Sequence, residues 1–449
     1  MKCTRTCLGI KRFTGIDMNR EILRLAVPSI ISNITVPLLA LVDVTIVGHL
    51  GAAAYIGAIA VGGLLFNILY WNFGFLRMGT SGLTSQAYGR GDCGEEMRIL
   101  AQALGVALCS AFAILLLQYP VERLAFRLLE AGEEVERYAV EYFRVCVWGA
   151  PAVLSMYCFK GWFIGMQNSR FPMYIAISVN IINILCSLLF VFVLGMKVEG
   201  VALGTVVAEW SGLLMAVVMW RRKYGTLRVG FSLRHSLRLG AMKKFFAVNR
   251  DIFFRTLCLI SVTAFFTSTG ARQGDIILAV NTLLMQLFTL FSYIMDGFAY
   301  AAEALTGRYI GACDGPRLRH AVRNLFGWGI GFALLFTALY GVGGKGFLGL
   351  LTDDREVIRV AGDYFYWVLA VPLVGFGAFL WDGILIGATA TRRMLSAILV
   401  ATAAFFAIFY LWGGATDNHV LWLAFLVYLF LRGLMMTVWG RVIFRKAEK

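Results

Sequence analysis

The sequence predicts an all-α integral membrane fold, with twelve transmembrane helices in two pseudo-symmetric six-helix lobes around a central cavity. Three observations predict it. The 449 residues are 59% hydrophobic and only 15% charged, with a mean hydropathy of +0.75, whereas a soluble domain carries about 25% charged residues. Apolar runs recur from Ile22 to Ile443, each of about twenty residues and so able to cross a hydrocarbon core of about 30 Å. The two halves also resemble each other at an offset near 222 residues, the mark of an internal repeat.

In chain order the spans are expected near 22–47, 54–80, 97–119, 137–164, 172–194, 199–220, 245–268, 276–305, 320–341, 358–386, 394–412 and 419–443. They are uniformly apolar, which argues for helices, since a barrel strand is about ten residues of alternating character. Residues 1–20 form a polar, basic cytoplasmic segment with Lys2, Arg5, Lys11, Arg12 and Arg20 and no apolar stretch of the kind a cleavable leader needs. Met18 is an alternative start.

The formal charge of +15 lies mostly in alternate loops, a pattern that argues against nucleic-acid binding. Arg221, Arg222, Lys223, Arg228, Arg234, Arg238, Lys243 and Lys244 crowd the longest connection, and Arg90, Arg98, Arg170, Arg308–Arg323, Arg392, Arg393 and Arg441–Lys449 fall on the same side. Opposite loops at Gly51–Ala53, Met196–Glu199 and Gly413–His419 carry almost none. The positive-inside rule makes the basic side cytoplasmic, puts both termini there and requires an even number of spans. The expected domains are therefore 1–20, an N-lobe at 21–220, a basic linker at 221–244 and a C-lobe with its tail at 245–449. The linker reads as an orientation signal, with anionic-lipid binding as the other role.

The repeat pairs Gly51 with Gly274, Gly74 with Gly297, Asp92 with Asp314, Pro151 with Pro372, Gly165 with Gly387 and Arg170 with Arg392. Six spans per repeat place both halves in the same orientation, the geometry of a two-lobed transporter with alternating access. The nine cysteines contain no CxxC pair and sit mostly inside spans, where they pack as small apolar groups. His49, His235, His320 and His419 fall at helix ends or in loops, so neither a metal centre nor an enzyme's nucleophile is expected.

Ionisable residues within the spans are functional candidates, because a charge there costs about 2.5–3.5 kcal/mol on insertion scales. Asp43 is flanked by Leu39–Val42 and Val44–Val47 with no basic residue within a turn, and desolvation favours its neutral form. Its plainer role is a carboxylate hydrogen-bonded near a helix end. Asn180, Asn183 and Ser187 share one helix face, for ion coupling or for interhelical hydrogen bonding. The second lobe carries Arg250, Asp251, Arg255, Asp296, Glu303 and Asp382. Their spacing suggests neutralising pairs, Asp251 with Arg255 or Arg255 with Asp296 or Glu303, set against a role in substrate passage. Pro28 and Pro37 are candidate hinges in the first span. Met156, Met166, Met285 and Met295 line a deformable cavity or pack against lipid.

The runs LAVPSI with LVDVTIVGHLG, NIINILCSLLFVFVLGMKVEGVALGTVVAEW and LLMQLFTLFSYIMDGFAYAAEALTGRYIG closely resemble the multidrug and toxic compound extrusion family, in its DinF-like branch, over about residues 19–444. The resemblance implies a cation-coupled antiporter of a bacterial inner membrane that expels amphipathic, often cationic organic compounds as a monomer, without a cofactor. It places the coupling aspartate at Asp43 and a nearby threonine at Thr205. Many relatives carry a second aspartate where this chain has Ser187, and some a tyrosine at Leu39; the loss of a hard oxygen ligand points to protons, with sodium as the alternative. A lipid-linked precursor flippase, a membrane acyl or glycosyl transferase and an ion channel are the competing readings. A flippase is expected to carry more spans or a strongly cationic cavity, a transferase needs a clustered His, Asp or Cys constellation that is not visible, and a channel does not call for the repeat.

Overall fold

The computed structural model describes residues 15–48, 53–129, 132–228, 239–413, 416–440 and 443–444. Residues 1–14, the Gly51 turn, His49, residues 229–238 of the linker with His235, and nearly all of the basic tail lie outside the described residues. The regular elements are helices: α1 (Gly15–Gly48), α2 (Ala53–Trp71), α3 (Gly74–Arg90), α4 (Cys93–Leu116), α5 (Gln118–Leu129), α6 (Glu133–Cys146), α7 (Ala150–Gly165), α8 (Arg170–Leu188), α9 (Val198–Tyr224), α10 (Leu239–Arg272), α11 (Asp275–Gly311), α12 (Gly315–Leu351), α13 (Arg355–Gly387), α14 (Thr391–Leu411) and α15 (Asn418–Gly440). Among the described residues twelve spans are long and apolar enough to cross a membrane. Two of them are compound, because α2 and α3 meet at a turn around Asn72–Phe73 and α6 joins α7 through a 3₁₀ turn at Val147–Gly149. Large apolar side chains point outward, as at Phe112, Leu116, Leu214, Leu334 and Tyr410, which suits a lipid surround.

The chain forms two compact units, 31–249 and 15–30 with 250–449. This corrects the boundaries expected from sequence, since the division falls inside α1 and inside α10 and not in the linker. Side-chain partners give the reason. Glu21 accepts from Tyr309 Oη at 2.8 Å and faces Arg308 at 3.3 Å, Asn19 accepts from Asn324 and Trp328 at 3.2 Å each, and Ile30 and Ala26 lie over Gly297. In α10, Asn249 packs against Gly79 of α3, whereas Asp251 turns to Thr391 of α14.

Both units repeat one helix crossing. In the first, a Cβ added to Gly161 would stand 2.2 Å from the Arg77 carbonyl, and one on Gly165 would stand 2.6 Å from Thr84 and 2.9 Å from the Ser81 carbonyl. In the second, Gly383 meets the Ala299 carbonyl at 2.1 Å and Gly387 the Glu303 carbonyl at 2.3 Å. Gly161, Gly165, Arg77 and Ser81 of the first crossing have Gly383, Gly387, Ala299 and Glu303 as their equivalents 222 positions on in the second. Glycine is required because the facing backbones leave no room for a side chain. The turns repeat as well: Gly91 and Cys313 are left-handed, each precedes an aspartate, and Asp92 and Asp314 cap the next helix by accepting from Glu95 N at 2.9 Å and Arg317 N at 3.1 Å. Gly74 and Gly297 do not share an environment, since only Gly297 is packed against another helix. Pro151 begins α7 but Pro372 lies within α13.

Candidate functional site

In the first unit α1 runs unbroken through Pro28 and Pro37, so the candidate hinges are accommodated in continuous helix. Asp43 lies near its end and is 9% exposed, with Oδ1 enclosed and without a hydrogen-bond partner. Such an oxygen is costly to leave charged. Tyr142 and Cys146 of α6 both feel its charge, and Cys146 Sγ donates to the Ala202 carbonyl of α9 at 3.8 Å.

The polar face of α8 splits its attention. Asn180 Nδ2 donates to the Thr35 carbonyl of α1 at 2.9 Å, two turns before Asp43. Asn183 Nδ2 donates to Thr205 Oγ1 of α9 at 2.9 Å, while Thr205 donates to its own helix at the Val201 carbonyl, at 3.1 Å. Asn183 Oδ1 and Ser187 Oγ are buried without hydrogen bonds. The close approach of α8 and α9 depends on Gly204, whose added Cβ would stand 2.5 Å from Ser187 Oγ. Asn183 and Thr205 are thus brought together, and Asn180 is brought to α1, but among the described residues no hydrogen bond joins Asp43 to any of the three.

In the second unit Asp382 is 5% exposed, and its Oδ2 accepts from Arg255 Nη2 and from Arg432 Nη2. Arg255 and Arg432 are 6% and 3% exposed. This corrects two expectations: Arg255 is neutralised by Asp382 of α13 and not by Asp296 or Glu303, and Asp251 pairs not with Arg255 but with Arg250, at 3.2 Å, and Thr391, at 3.0 Å. Asp251 and Arg255 are one turn apart, yet the packing of α13, α14 and α15 supplies other partners. Asp296 is half-buried and within electrostatic reach of Arg432. Glu303 is 1% exposed and lies on the α11 segment that crosses Gly387.

Sequence reasoning missed Arg432, Glu209 and Lys160. Each is an ionisable residue inside an apolar span, in VYLFLRGLMM, GTVVAEWSG and MYCFKGWF, so the rule that singled out Asp43 would also have found them. Glu209 Oε2 is enclosed without a hydrogen-bond partner. Among the described residues no cluster of three or more His, Cys, Asp or Glu residues is arranged to hold a metal ion.

The MatE family model matches residues 28–189 and again 252–411, two copies at the spacing of the internal repeat. The chain is 38% identical over 424 residues to DNA damage-inducible protein F of Escherichia coli (strain K12), covering 94% of this chain and 92% of that protein. It is 21% identical to a probable multidrug resistance protein NorM of Photorhabdus laumondii, covering 86% of each. Among solved structures it resembles a MATE protein in the bent conformation, with a TM-score of 0.85 at 19% identity over 97% of this chain and 98% of that one; at this identity the likeness speaks for the fold.

Proposed function

The chain belongs to the MatE family of membrane transporters, and from that premise we propose that it is a secondary antiporter that exports amphipathic organic cations from the cell in exchange for protons. The inner membrane of a bacterium, with both termini in the cytoplasm, is the setting that the basic loops and the Escherichia coli relative support.

The observation that carries this reading is the contrast between two buried carboxylates. Asp382 has two guanidiniums on one oxygen, so its charge is balanced within the fold. Asp43 has an enclosed oxygen that, among the described residues, has no hydrogen-bond partner and no ion pair, so a negative charge there lacks compensation until water or a cation reaches it. A group that is protonated in one conformation and ionised in the other ties turnover to the proton gradient, because a ligand shifts such an equilibrium only by its differential affinity for the two states. Asn180 anchors α8 to α1 beside Pro37, and Asn183 with Thr205 holds α8 against α9. Movement of α1 about Pro28 and Pro37 then changes the surroundings of Asp43. Ser187 supports protons over sodium, since a serine is a poorer ligand for a hard cation than a second carboxylate.

Asp43→Asn tests the reading in proteoliposomes. The variant keeps the side-chain shape, so it is expected to insert normally, to lose uphill export driven by a pH gradient and to show no proton release when substrate is added. Uphill transport at the wild-type rate overturns the assignment; transport that needs sodium and ignores pH overturns the choice of ion.

A further inference from the structure

We propose that Glu209 is a second proton-carrying carboxylate of the first unit; this rests on the proton-antiport reading above. Four observations support it. The Glu209 Oε2 atom is enclosed and has no hydrogen-bond partner, although a permanently ionised carboxylate needs donors or a close cation. Lys160 of α7 is near enough to feel its charge, but among the described residues the two form no ion pair.

The carboxylate also has a built seat. Oε2 lies over Gly149, where an added Cβ would stand 1.8 Å away, and the neighbouring Trp210 Nε1 donates to the Trp148 carbonyl at 3.2 Å, fixing α9 against that 3₁₀ turn. Gly149 has φ −76° and ψ −16°, a conformation open to any residue, so a side chain added here would displace the tip of the carboxylate and not the backbone.

Glu209 follows Thr205 by one turn on α9, so the two share a face. Its titratable and charged neighbours come from α2, α6 and α7. Tyr70 of α2, whose hydroxyl is enclosed without a partner, and Tyr142 and Cys146 of α6 feel its charge. Lys160 stands on α7, with Arg77 of α3 beyond it. Tyr142 and Cys146 also lie within electrostatic reach of Asp43.

Depth gives the arrangement a direction. Asp43 is five residues from the end of α1 and Glu209 eleven from the start of α9, roughly 8 Å and roughly 16 Å into the bundle from the same face at about 1.5 Å per residue. Lys160 is five residues from the far end of α7. A proton adds to a carboxylate oxygen and later leaves it, with no other bond changed, so the pair offers a stop halfway across the core.

An infrared pH titration of the purified full-length chain tests this without needing a known substrate. Glu209→Gln is expected to remove one protonated-carboxyl component, and Asp43→Asn another. Gly149→Ala, which displaces the carboxylate and alters no titrating group, is expected to shift the frequency of the Glu209 component alone. Uphill export by Asp43→Asn is read separately: if it is normal, the coupling reading fails while the Glu209 titration stands. If Glu209→Gln leaves the protonated-carboxyl region unchanged, Glu209 is held ionised by Lys160 and the proposal falls, whatever Asp43 does.

Discussion

Replacing Asp382 by asparagine keeps the size of the side chain and removes the charge that balances Arg255 and Arg432. Both guanidiniums are almost wholly buried, with side chains 7% and 4% accessible, and they come from α10 and α15, which Asp382 of α13 joins. Removing one partner of a buried ion pair costs about 3–5 kcal/mol, because the remaining charge is left uncompensated. The Asp251–Arg250 pair is the internal control, since the Arg250 side chain is 66% accessible and exposed pairs contribute at most about 1 kcal/mol. Equilibrium unfolding of the purified protein in mixed detergent, followed by tryptophan fluorescence and circular dichroism, should therefore separate Asp382→Asn from Arg250→Gln by several-fold in destabilisation. A triple replacement of Arg255, Asp382 and Arg432 by apolar residues of similar volume should recover much of the loss. If Asp382→Asn unfolds like the wild type, the three residues do not form a compensated buried cluster, and the contrast drawn with Asp43 loses its basis.

Gly161→Ala and Gly383→Ala should each cost about 1–3 kcal/mol by overpacking and should do so similarly, since the added methyls meet carbonyls at 2.2 and 2.1 Å in equivalent crossings; unequal losses in the same unfolding assay would count against the structural repeat. Single cysteines introduced at Ser232 and Ala415 in a cysteine-free variant should label from opposite faces with an impermeant maleimide, and labelling of both from outside refutes the twelve-span topology with cytoplasmic termini.

Much of the fold was legible because a membrane simplifies the code. With no water to satisfy the backbone in the core, a run of about twenty apolar residues has little choice but to be a helix, so the spans emerge from hydropathy alone and their number is constrained by the basic loops. The repeat was legible because the close crossings of α3 with α7 and α11 with α13 demand glycine at Gly165 and Gly387, and the turns demand Asp92 and Asp314. Asp43 was legible as an acid in a stretch that should hold none. Glu209, Lys160 and Arg432 carry the same signal in the sequence.

Sequence by itself determined that this is a helical membrane protein, internally duplicated and related to the extrusion transporters, because hydropathy, charge asymmetry and glycine placement are local and additive. Which charges meet was decided only by the tertiary structure. Spacing suggested Asp251 for Arg255, one turn away, whereas the chosen partner, Asp382, is 127 residues away and takes a second arginine 50 residues further on. The boundary of the units likewise runs through α1 and α10, because Glu21 and Asn249 find their partners on other helices. A buried charge is costly enough that whichever counter-charge the packing brings within reach neutralises it, and that choice belongs to the packing of helices distant in sequence.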